Sequence, residues 1–117
     1  MPVRSLSSSV IRWPDDKTVR EALQEWALET KRKRQEVLEI GYFGSYARGD
    51  WGVGSDLDLI IVVVESELPR ERRAVEFDTE NLPVPVDLIV YTLSEWQILK
   101  GSESRFNSMI SREAIWL

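Results

Sequence analysis

The chain has no cysteine and no histidine. The first absence excludes a disulfide framework and any thiolate metal site. The second removes Ser-His-Asp and Cys-His hydrolytic schemes, together with every metal site that needs imidazole. A bound metal must then be held by oxygen, which points to magnesium, manganese or calcium. A general base must be a carboxylate, or a less usual group such as Lys or Tyr. Long hydrophobic runs are missing too. The most apolar stretch, Leu57 to Val64 with Asp58 as a break, is too short to span a bilayer. The opening MPVRSLSSSVIRW lacks the apolar core of a signal peptide, so a cytoplasmic location is expected. Positive charge is in deficit: the formal net charge is −5. That argues against direct nucleic-acid binding by broad phosphate neutralisation. A small triphosphate carrying its own metal remains compatible, because the metal screens the like charges.

What is present fits one domain of 117 residues. Residues 1–13 are Ser-rich and read as a loose arm, with a short strand or turn near Val10 to Trp13, and residues 14–117 as a single domain. Pro14 and Asp15 announce a helix from Asp16 to about Arg34, with Val19, Leu23, Trp26 and Ala27 on one stripe and Lys31 to Arg34 at its negative end. Val37 to Phe43 reads as a strand running into Gly44 and Ser45, followed by one helical turn over Tyr46 to Asp50 and a loop over Trp51 to Ser55. Asp56 to Val64 is the clearest strand, apolar on both faces after its first residues and hence central. A helix over Pro69 to about Asn81 would bury Leu68, Ala74, Val75 and Phe77; a strand follows over Val84 to Tyr91. Thr92 and Glu95 form a T-x-x-E capping box for a helix ending at Gly101. A helical piece over about Ser104 to Arg112 and a short strand within Ala114 to Leu117 complete the chain. The short first connection favours antiparallel pairing of the first two strands. The expected fold is α/β (α+β): a small mixed sheet with helices mainly on one face.

Three acids stand where folding alone would not place them. Asp56 and Asp58 open the most hydrophobic strand and, with a side-chain period of two, share one face, their Cα atoms roughly 6.5–7 Å apart. Asp87 sits inside Val84 to Val90, another buried run. A buried unpaired carboxylate costs several kcal/mol unless a cation relieves it. An Arg partner serves for one Asp, whereas three on two strands, two of them in a D-x-D, favour a metal or a metal pair about 3.5–4 Å apart. Upstream, Gly44-Ser45 can offer backbone N–H groups and a hydroxyl to phosphate, although the same dipeptide also makes ordinary turns. Arg48 has two readings, contact with the triphosphate or a salt bridge to Asp50 or another acid under the turn. Trp51 likewise either covers the nucleotide, contacts a partner, or packs under its loop. Trp26 and Trp96 read as core, and Lys31 to Arg34 with Arg70, Arg72 and Arg73 as solvated helix faces.

Phe43-Gly44-Ser45, Ser55-Asp56-Leu57-Asp58-Leu59 and Val86-Asp87-Leu88 together resemble the signature of the polymerase-beta-like nucleotidyltransferase superfamily. Gly-Ser-x-Ala-Arg-Gly at Gly44 to Gly49 resembles its stand-alone minimal nucleotidyltransferase (MNT) branch. The resemblance implies that fold, with Asp56, Asp58 and Asp87 holding two magnesium ions and Asp87 acting near the acceptor hydroxyl. It implies nucleotide contacts from Gly44, Ser45, Arg48 and Ser55, with ATP as donor. It further implies an antitoxin that transfers AMP to a Tyr of a small helical HEPN-type toxin, in a hetero-oligomer or as a homo-oligomer. The alternatives are a non-catalytic module that neutralises such a partner by covering it, and a small-molecule nucleotidyltransferase.

Overall fold

The computed structural model describes residues 13–117. The expected arm therefore lies outside the described residues, apart from Trp13. Helix α1 (Asp16–Lys33) starts at Asp15, whose carboxylate accepts the Thr18 N–H at 2.8 Å, and ends among Lys31, Arg32 and Lys33. Strand β1 (Val37–Phe43) leads into the single-turn α2 (Ser45–Arg48), and a loop then reaches β2 (Leu57–Val63). A 3₁₀ segment (Arg70–Glu76), β3 (Val86–Thr92), α3 (Leu93–Lys100), α4 (Arg105–Glu113) and β4 (Ile115–Trp116) follow. The four-stranded sheet has the order β3-β2-β1-β4. β1 is antiparallel to β2 and β4, and β2 is parallel to β3, so the sheet is mixed as expected.

β2 explains the layering. Leu57, Leu59 and Ile61 face α1, where Val19, Leu23 and Ala27 pack; Ile60 and Val62 face Trp96 of α3 and Ile110 of α4. All five β2 side chains are fully buried, each contributing roughly 1.5–3 kcal/mol. The helices, expected mainly on one face, are thus shared between both. A strand apolar on both sides must be covered on both sides.

The segment after Pro69 also differs from expectation. It is 3₁₀ rather than a longer α-helix, and Val75, expected inside, is 79% exposed. In a 3₁₀ turn residues i and i+3 eclipse, so Ala74 and Phe77 face inward and Val75 turns out. Arg73, read as a solvated residue, is 5% exposed. Its Nε donates to the Leu68 carbonyl (2.8 Å), and Nη1 to the Val90 carbonyl (3.1 Å) and Glu95 (2.5 Å). Glu95 completes the expected capping box with Thr92 at the same time. One buried guanidinium therefore ties the 3₁₀ segment to β3 and α3.

Candidate active site

The site is built at the end of β1 and the starts of β2 and β3. Gly44 leaves β1 with φ 75° and ψ −151°, a backbone region that only glycine occupies without strain. A Cβ there would stand 2.1 Å from Oδ2 of Asp58. The turn backbone therefore lies directly against that carboxylate. α2 then closes with Arg48 N–H on the Gly44 carbonyl (2.9 Å), while the Ser45 carbonyl accepts from Gly49 (2.9 Å) and Asp50 (3.1 Å).

Asp58 is the second residue of β2 and Asp87 the second of β3, and the parallel register sets them opposite one another. Neighbouring strands run about 4.8 Å apart, so the two carboxylates stand side by side on one face. Asp56 precedes β2 by one residue and alternates onto the same face, while Leu57 and Leu59 are buried on the other. Asp56 and Asp87 are exposed; Asp58 is half-buried. Burial pushes the Asp58 carboxyl above its usual range, the charges of Asp87 and Asp56 push it the same way, and Arg48 partly offsets them. The structure thus brings Asp56 and Asp87 each within electrostatic reach of Asp58. Among the described residues no three acids converge into a ready-made metal cage. The donor set, carboxylate oxygen only, suits a hard divalent cation of the magnesium type.

The remaining predicted residues divide. Arg48 forms salt bridges to Asp50 (3.0 Å) and Glu113 (3.3 Å), so the ion-pair reading of this residue is present in the fold. The Ser55 hydroxyl accepts the Gly52 N–H (2.8 Å) and its own N–H reaches the Gly52 carbonyl (3.0 Å), clasping the loop before Asp56. Trp51 stacks on Tyr46, ring centroids 5.6 Å apart and nearly parallel at 6°, and Trp13 donates to the Tyr46 hydroxyl (3.2 Å). Trp51 packs under its loop. Glu113 was not a sequence candidate; it lies 65 residues from Arg48 and no local spacing marks it.

A cavity of about 620 Å³ lies at the other end of β2, lined by Arg34, Glu36, Glu65, Glu67, Glu76 and Phe77 among others. It contains none of the three Asp, so the predicted acids do not line it.

A short turn is thus held against paired strand carboxylates on a mixed sheet. The chain belongs to the nucleotidyltransferase domain family, whose model matches residues 23–116. A crystal structure from Sulfolobus solfataricus, given the provisional name nucleotidyltransferase, superposes with a TM-score of 0.61 at 20% identity, covering 86% of this chain and 80% of that one. At that identity the likeness speaks for the fold. A toxin–antitoxin complex with AMP-PNP (TM-score 0.48, 14% identity, 88% of this chain and 72% of that one) overlaps less well. So does a mutant MntA–HpeT toxin–antitoxin (0.46, 12%, 88% and 72%). No curated protein sequence matches the chain. No helix among the described residues is long and apolar enough to cross a membrane.

Proposed function

We propose that this nucleotidyltransferase domain moves a nucleoside monophosphate, AMP from ATP, to a hydroxyl on a partner protein. The observation that carries the reading is the register of Asp58 beside Asp87, with the Gly44 turn against Asp58. Asp56, Asp58 and Asp87 would hold magnesium, which neutralises phosphate charge and orients the triphosphate when bound. Gly44 and Ser45 would contact the β- and γ-phosphates through backbone N–H groups and the hydroxyl. Asp87, more exposed than Asp58, takes or orients the acceptor proton. The acceptor oxygen bonds to the α-phosphorus, the bond to the bridging oxygen breaks, pyrophosphate leaves, and the proton passes to Asp87 or water.

The partner is a small helical HEPN-type toxin and this chain its antitoxin, acting in the cytoplasm. That part rests on the likeness of Gly44 to Gly49 to the minimal nucleotidyltransferase motif. The test is incubation of chain, magnesium and such a partner with ATP labelled at the α- or the γ-phosphate. Label should enter the partner from the α position alone, and Asp58→Asn should abolish it. Transfer from the γ position, or none from either, sinks the proposal for that partner; protection of the partner by Asp58→Asn without labelling would then favour the covering module.

A further inference from the structure

Glu113 closes α4, and its place there is unfavourable to the helix, since a carboxylate at a C-terminus faces the negative end of the dipole. Its side chain is 19% exposed. Among the described residues it makes one ion pair, to Nη1 of Arg48 at 3.3 Å. Asp50 takes Nε of the same guanidinium at 3.0 Å. The two tethers differ. Asp50 is two residues along the chain and 62% exposed, so its grip is local and screened by solvent. Glu113 arrives on a helix whose Phe106, Met109 and Ile110 pack onto the sheet, so it ties Arg48 to the frame of the domain. Arg48 in turn closes the turn that lies against Asp58, its backbone N–H on the carbonyl of Gly44 at 2.9 Å. Among the described residues two of its five N–H donors are occupied, and the others can serve a phosphate fork.

We propose that Glu113 is a positioning residue, which fixes the Arg48 guanidinium at the mouth of the carboxylate site so that its remaining donors meet the triphosphate. The inference rests on the nucleotide reading of the site given above. An Arg held in place before the nucleotide arrives has less side-chain freedom to lose on binding. An untethered Arg48 gives weaker binding even though every phosphate ligand is present.

Calorimetric titration of the full chain with MgATP tests this through a double-mutant cycle. Glu113→Ala should weaken binding about fivefold to tenfold and Arg48→Ala about thirtyfold, as expected for charge-assisted contacts. The double variant should bind no worse than Arg48→Ala, since Glu113 acts only through Arg48. Glu113→Gln keeps an acceptor for Nη1; it should lose roughly a third as much as Glu113→Ala and serves in its place should that variant unfold. Losses that multiply in the double variant overturn the proposal, because they mark Glu113 as a structural residue independent of Arg48. Unchanged or tighter binding by Glu113→Ala overturns it as well, since Glu113 would then hold Arg48 away from the nucleotide. Wild type that binds no MgATP removes the nucleotide reading itself, a result distinct from a wild type that binds while the cycle shows no coupling.

Discussion

The Asp58 carboxylate fills the space that a side chain on Gly44 would need, 2.1 Å from where its Cβ would stand. Gly44 has φ 75°, which strains any other residue, and Asp58 stands on β2, an interior strand of the four-stranded sheet. Gly44→Ala should therefore cost about 2–4 kcal/mol, from backbone strain of 1–3 kcal/mol plus the clash. Urea unfolding checks this, and nucleotide binding should fail in whatever fraction still folds.

Asp58 itself is held against its own stability. Its folded carboxyl titrates above the usual range through burial and the neighbouring Asp87 and Asp56, so the folded state binds its proton more tightly than the unfolded one. The sign follows: stability from this group falls as pH rises through the window between the ordinary value of 3.8 and the raised one, and the loss is complete above it. Asp58→Asn should raise the melting temperature of the nucleotide-free protein at neutral pH while reducing transfer by at least about 100-fold. The melting gain should shrink in acid.

The Arg73–Glu95 pair has the opposite sign. Hydrogen bonds from Arg73 hold the Glu95 carboxyl down to about 2, from an ordinary value of 4.5. Its stabilising contribution is fully present above 4.5 and is lost as pH falls through about 2. Melting curves of wild type and Glu95→Gln should converge across that window. Arg73→Ala should cost about 3 kcal/mol, because it removes one partner of a mostly buried pair.

Trp51→Ala removes the stack on Tyr46 and should cost about 1–2 kcal/mol, less than a full core Trp because Trp51 is half-buried. Thermal unfolding measures the loss. Because the loop leads to Asp56, MgATP should also bind more weakly.

Most of the site was legible because its signals are local. The D-x-D of Asp56 and Asp58 needs only the period of a strand, the Gly44 turn needs only a residue that admits its backbone angles, and the Thr92–Glu95 box spans four residues. What escaped depends on distant chain. The burial of Arg73 is created by Val90 and Glu95, 17 and 22 residues away, and a cluster of Arg and Glu gives no sign of which member turns inward. Arg48 meets Glu113 only after α4 has packed on the sheet. The 3₁₀ phase that exposes Val75 shifts inward residues by one, a change that apolar spacing in so short a segment does not resolve.

The account stands on Asp56, Asp58 and Asp87 holding a magnesium-bound nucleoside triphosphate. Melting temperature with and without millimolar MgATP tests this most directly, since a ligand at about 100 times its Kd adds about 2.7 kcal/mol to the folded state. The account predicts a clear rise for wild type that disappears with EDTA and is largely lost in Asp56→Asn. No rise in wild type, or an equal rise in Asp56→Asn, would contradict it.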